Sequence, residues 1–182
     1  MAERYEIRFS GAGGQGLITA GIILAEAASI IEGKNAVQSQ SYGPEARGGA
    51  SKSEVIISDG PIDYPKATIV DACLAMTQEA ADKYANGIKP GGVLLLDSDF
   101  APRAPEGNFK IYKMPIMRTA KDEIGREIVA NVVALGAMIA LTDVVSREAG
   151  LKAVLAKVPK AFIELNEKAY NAGFEKVKAL LQ

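Results

Sequence analysis

Tyr5-Glu6-Ile7-Arg8-Phe9-Ser10 runs into Gly11-Ala12-Gly13-Gly14-Gln15-Gly16 and then into Leu17-Ile18-Thr19-Ala20-Gly21. Tyr5, Ile7 and Phe9 alternate with Glu6 and Arg8, the period of a strand. Beyond the glycines the period changes. Leu17, Ala20, Leu24, Ala28 and Ile31 recur at three and four residues, Gly21 and Ala25 are small enough for close packing on a sheet, and Gly33 is a stop signal. Strand, glycine loop and helix in this order open a Rossmann-like α/β domain.

The rest of the chain extends the same alternation. Ala36 to Ser41 reads as a second, polar strand, and Glu54 to Ser58 as the next. Thr68 to Met76 reads as a buried strand leading to a helix capped by Thr77, with Glu79 near the positive end of its dipole. Gly91-Gly92 opens a strand at Val93 to Leu96, and Phe109 to Lys113 forms the last, beyond the proline-bearing loop Pro102 to Gly107. From Thr119 the pattern is helical: a long apolar helix over Glu127 to Val145, a short one over Arg147 to Lys157, and a final one after Pro159. In that last helix Phe162, Leu165, Ala169, Gly173, Val177 and Leu180 form one stripe, and Glu164 and Lys168 pair on another face. The expectation is one three-layer domain over residues 1–182, with a mostly parallel sheet and C-terminal helices. The second strand is expected beside the first.

Composition narrows the chemistry. With 182 residues, 48% of them hydrophobic, the chain can bury a sizeable core. Its 21 basic and 22 acidic residues nearly cancel, which argues against nucleic acid or an anionic membrane as the main partner. The opening residues lack the pattern of a signal peptide, and the apolar run Val132 to Leu141 is too short to cross a bilayer, so a cytoplasmic location is expected. There is no histidine, which removes the commonest general acid–base and the Ser-His-Asp triad. The lone Cys73 sits in an apolar run as a small buried hydrophobe, and one thiol holds neither an iron–sulfur cluster nor a disulfide. No catalytic residue and no metal ligand set is expected on this chain.

Two segments carry the candidate site. Gly11, Gly13, Gly14, Gln15 and Gly16 satisfy the dinucleotide fingerprint, and glycines at a helix N-terminus let a phosphate approach free amides. The acidic residue that would hold a ribose is missing, since the second strand ends in Gln38-Ser39-Gln40-Ser41. The loop therefore reads three ways: an anion site with the amides of Gly13 to Gly16 converging on it, a packing turn, or an NAD or FAD site. The second segment, Tyr42 to Gly49, sets Glu45 and Arg47 on either side of Ala46, between Pro44 and Gly48-Gly49. Arg47 has the planar fork that clamps a carboxylate or phosphate, and Glu45 either restrains it or meets a partner; the alternative is an internal tie that shapes the turn. Tyr42, Glu45 and Arg47 are expected at the mouth of the glycine loop. Asp59 and Asp63 flank a turn at Gly60-Pro61, Asn131 reads as a polar group bonded within the core, and Arg118, Lys121 and Arg126 read as a solvated charged face that is also able to meet an anion.

Gly11 to Gly16, then Gln38-Ser39-Gln40-Ser41-Tyr42-Gly43-Pro44-Glu45-Ala46-Arg47-Gly48-Gly49, then Ser58-Asp59 with Ile62-Asp63-Tyr64-Pro65 resemble the gamma subunit of 2-oxoacid:ferredoxin oxidoreductases. The likeness continues through Asp71, Met76 to Ala80, the helix near Asn131 and the closing Asn166 to Tyr170. The resemblance implies a multi-subunit enzyme that decarboxylates a 2-oxoacid, passes electrons through iron–sulfur clusters to ferredoxin, and delivers the acyl group to coenzyme A. It places thiamine diphosphate between alpha and beta subunits and the clusters on beta or a small ferredoxin-like delta subunit, and leaves coenzyme A as a candidate ligand for the glycine loop. The chain lacks a GDG-type thiamine motif, because Ser58-Asp59-Gly60 has no first glycine. The Tyr42 to Gly49 run looks most like the 2-oxoglutarate branch. A free-standing nucleotide-binding protein or an NAD-dependent dehydrogenase is the competing reading.

Overall fold

A computed structural model describes residues 4–43 and 49–182. Strand β1 (Arg4–Ala12) passes through the glycine loop into helix α1 (Leu17–Glu26), which a π turn carries on to Ile31. Strands β2 (Asn35–Ser41), β3 (Ala50–Ser58) and β4 (Val70–Ala75) follow, then helix α2 (Gln78–Tyr84) and strands β5 (Ile88–Asp97) and β6 (Lys110–Met114). Helices α3 (Ile116–Arg118), α4 (Ala130–Thr142), α5 (Arg147–Lys157) and α6 (Ile163–Leu180) close the chain. No helix among the described residues is long and apolar enough to cross a membrane.

The strands form one sheet in the order β2-β3-β1-β4-β5-β6. β1, β4, β5 and β6 pair in parallel, whereas β3 runs antiparallel to both β1 and β2. The sheet is thus mixed, with only β3 reversed, and β2 does not lie beside β1. Loop length explains this. Residues 42–49 are too few for the crossover of a dozen or more that parallel neighbours need, so β2 and β3 form an antiparallel pair. The apolar Val55, Ile56 and Ile57 make β3 the buried strand next to β1, and the polar β2 is left at the edge.

Helices cover both faces. Ile7, Phe9, Val55, Ile57, Leu74 and Leu95 share the larger core with α1, α4, α5 and α6. Cys73, Ala75, Leu94 and Leu96 pack with Ala80 and Ala81 of α2 on the other face. Close contact depends on small residues: a Cβ on Gly21 would overlap Ser53 Oγ, and one on Gly173 would overlap the Val133 carbonyl oxygen where α6 crosses α4. The polar half of the β1 alternation is buried as well. Arg8 pairs with Glu54 at 2.7 Å, and its guanidinium donates to the carbonyls of Tyr84 (2.8 Å) and Asn86 (3.1 Å), a cation at the negative end of α2. Thr77 Oγ1 accepts the Ala80 amide at 3.2 Å as the expected cap. The Gly91-Gly92 pair lies inside β5 rather than at its start, in a strand whose register against β4 shifts between Val70 and Ala72.

Candidate functional site

The C-terminal ends of β1, β4, β5 and β6 share one edge of the sheet, where open α/β sheets gather their ligands. The glycine loop hangs there and is tied from three directions. Gly13 N–H donates to the Gly49 carbonyl at 3.1 Å, Gln15 N–H to the Ala12 carbonyl at 3.3 Å, and Ala12 N–H to Gln15 Oε1 at 2.8 Å. Gly14 and Gly16 stand at φ 87 and φ 76, left-handed conformations that favour glycine. Their two amides have no acceptor among the described residues, and Gly16 caps α1 without a side-chain bond. The anion position expected from Gly13 to Gly16 is thereby narrowed: the amides of Gly13 and Gln15 are already bonded, and those of Gly14 and Gly16 remain.

In front of the loop lies a cleft of about 520 Å³, lined among others by Gly14, Gln15, Gly16, Thr19, Glu127 and Asn131. Asn131, read from the sequence as a polar group of the core, is the only side chain outside the loop, among the described residues, that bonds it. Its Nδ2 donates to the Gly16 carbonyl at 3.2 Å, joining the start of α4 to the start of α1. Asp97 escaped the sequence reading altogether. Buried at the end of β5, its carboxylate accepts the amides of Asp99 (2.9 Å), Phe100 (3.1 Å) and Met117 (2.8 Å), fixing the turn that brings Met117 to the cleft. No basic residue lines this cleft among the described residues, and Glu127 brings a negative charge into it.

Tyr42 projects from the end of β2, 65% exposed, on the same edge as the glycine loop but with β3 between their strands. Gly49 closes that segment and is the residue bonded to Gly13. Glu45 and Arg47 lie outside the described residues. Of the three cations ahead of α4, Arg118 pairs with Asp99 at 3.1 Å, Lys121 is exposed, and Arg126 stands at a groove adjoining the cleft. Cys73 is fully buried; that burial pushes its thiol up to about 11, with the Arg8 charge offsetting only part of it, so the thiol stays protonated and inert.

Residues 6–176 match the family described as pyruvate ferredoxin/flavodoxin oxidoreductase. The chain belongs to this family. It is 52% identical to the 2-oxoglutarate synthase subunit KorC of Methanocaldococcus jannaschii over 97% of its length and 96% of that protein's. The structure is similar to the gamma subunit of a keto/oxoacid ferredoxin oxidoreductase from Geobacter sulfurreducens, at 67% identity, TM-score 0.92 and 98% coverage of both chains. It is also similar to 2-oxoglutarate:ferredoxin oxidoreductase from Magnetococcus marinus, solved with 2-oxoglutarate, coenzyme A and succinyl-CoA, at 26% identity and TM-score 0.83. There the match takes in 97% of this chain but only 31% of the other, so in that enzyme the equivalent region is part of a longer polypeptide.

Proposed function

We infer that the chain is the gamma subunit of a 2-oxoglutarate:ferredoxin oxidoreductase, a multi-subunit enzyme that oxidatively decarboxylates its 2-oxoacid to an acyl-CoA. The observation that carries this is the end-to-end likeness to KorC at 52% identity. The NAD-dependent alternative loses its ground: the loop leads to no ribose-holding acid, and the relatives are oxidoreductase subunits of another kind. The chain's own residues do not fit a cluster or a thiamine site, because it has one buried cysteine, no histidine and no GDG motif. In this reading thiamine diphosphate lies between alpha and beta subunits, the iron–sulfur clusters belong to beta or a ferredoxin-like delta subunit, and ferredoxin is met only through them.

The role left to this subunit, acting as one cytoplasmic domain, is to bind and orient. In this reading the amides of Gly14 and Gly16 receive a phosphate of coenzyme A, Gln15 closes the loop, and the Tyr42 to Gly49 segment lies alongside. Arg47 supplies the fixed charge that the cleft lacks, Glu45 restrains it, and Tyr42 flanks the same edge. The test is methyl-viologen reduction with 2-oxoglutarate and coenzyme A, by the chain alone and by the reconstituted complex with and without it. The chain alone is expected to be inactive even with thiamine diphosphate, and the complete complex active. A complete complex that turns over pyruvate but not 2-oxoglutarate would refute the substrate assignment. Arg47→Ala is expected to raise the KM for coenzyme A by roughly ten- to a hundredfold, the loss of one charge-assisted bond. Wild-type kinetics in an assembled Arg47→Ala complex would return that loop to a structural role.

A further inference from the structure

Beside the glycine-loop cleft runs an apolar groove of about 410 Å³ between α1, α4 and the α5–α6 connection. Ile23, Val132, Val158 and Leu165 form its walls, and two large apolar side chains stand in solvent at its rim: Ile128, 84% exposed, and Phe162, 47% exposed. Phe162 belongs to the stripe that the sequence assigns to the packed face of the last helix, yet α6 starts beyond it and leaves the ring uncovered. Exposed apolar side chains gathered at the rim of an apolar groove are a feature that interaction sites share. Groove and cleft are continuous, since Thr19, Ile128 and Asn131 line both. Arg126 stands at the groove and makes no ion pair among the described residues, whereas Lys157 on the same groove is held by Glu26 at 2.8 Å.

We propose that this groove docks a partner subunit of the oxidoreductase through an apolar segment that seats on Ile128 and Phe162 and carries a carboxylate for Arg126. The proposal rests on the gamma-subunit reading. In that reading the chain, with one cysteine and no histidine, contributes where its glycine loop meets a reaction centre held on another subunit. The partner must therefore come to this edge, and the groove is the apolar surface continuous with it. Arg126, without an ion pair among the described residues, sets the complementary charge. The Magnetococcus enzyme, in which the equivalent region makes up 31% of a longer chain, shows the same kind of unit working as a part of a larger polypeptide.

The experiment is titration of the purified chain into the complex of the remaining subunits, followed by biolayer interferometry, with melting of the isolated chain as the fold control. Ile128→Asp, Phe162→Ser and Arg126→Glu are each expected to weaken association by about 10- to 100-fold without shifting the melt, and Arg126→Lys to stay near the unsubstituted value. Ile69→Asp, at an isoleucine 51% exposed just before β4 and hence at the far edge of the sheet, is expected to change nothing. Should Ile128→Asp or Phe162→Ser disturb the fold, the charge reversal at the exposed Arg126, Arg126→Glu, gives the reading on its own. Unchanged association in all three groove variants overturns the proposal. So does a self-dimer in sedimentation that Ile128→Asp dissolves, which would make a second copy the occupant, or normal assembly with a raised KM for coenzyme A, which would make the groove part of the ligand site. Turnover of 2-oxoglutarate is measured on the same unsubstituted complex: assembly without that turnover sinks the functional reading and leaves the docking surface standing.

Discussion

Gly16 and Asn131 make contact across the start of α1, and a double-mutant cycle measures whether they act as a unit. Gly16 sits at φ 76 and ψ 18, so Gly16→Ala costs about 1 to 2 kcal/mol in backbone strain alone. The new Cβ would also stand 2.7 Å from Asn131 Nδ2 and 2.9 Å from its Cγ, which displaces the amide and breaks its bond to the Gly16 carbonyl. That bond contributes about 0.5 to 1.5 kcal/mol net, so the single substitution should cost roughly 2 to 3 kcal/mol. Asn131→Ala alone removes the same bond but leaves the carbonyl with the Ala20 amide at 3.0 Å, so its cost stays near 1 kcal/mol, on the order of one hydrogen bond. In the double variant the amide is gone, only the Cβ of residue 131 stays close at 3.1 Å, and the bond is lost only once. Its cost should therefore match that of Gly16→Ala alone, falling short of the sum of the two singles by about 1 kcal/mol. Urea unfolding of the isolated chain at constant m-value gives the three numbers. Additivity to within about 0.5 kcal/mol would mean the two residues do not restrain each other, and Asn131 would lose its role in positioning the loop.

Removing one member of the buried Arg8–Glu54 pair leaves the other charge uncompensated: Arg8→Met should destabilise by about 3 kcal/mol or more in urea unfolding, tempered by Lys52 at 2.9 Å from Glu54. Arg8→Met combined with Glu54→Leu should recover most of that loss, and a double variant as unstable as the single would contradict a charge-based account. Native Cys73 should not react with Ellman's reagent at pH 8, while the urea-unfolded chain should react at once. Because the folded thiol titrates at about 11 instead of 9.0, the unfolded state binds fewer protons between these values, so stability is intact below about pH 9 and is lost as pH rises towards 11. The alkaline limb of the stability profile should be shallower in Cys73→Ala, and identical limbs would show that the thiol is not linked to folding.

Much of this fold was legible because its signals are local. The glycine loop, the Thr77 cap and the turn at Gly33 are each decided by a few neighbouring residues, and the helix over Arg147 to Lys157 appears with the bounds the sequence suggests. The insertion of β3 between β2 and β1 is decided by pairing across the sheet, yet a signal for it was present in the shortness of the 42–49 connection. The site was legible in outline only. Nothing near Asp97 distinguishes a turn residue from a carboxylate that gathers three amides, because its third partner, Met117, arrives from beyond β6. Likewise Gly13 bonds Gly49 and Asn131 bonds Gly16 over separations that no periodicity encodes.

Those long-range ties decide what the loop can do. Four hydrogen bonds and two left-handed glycines hold it in one shape, so little ordering entropy would remain to be lost if a ligand bound there. Its attraction for an anion is nevertheless incomplete. A helix N-terminus offers the equivalent of about half a positive charge, and Glu127 places a full negative charge in the same cleft. Among the described residues the cleft's lining offers no cation to offset Glu127. A preformed loop with an unfinished charge balance is consistent with the proposed role, in which the ligand site would be completed only when the subunit assembles with its partners.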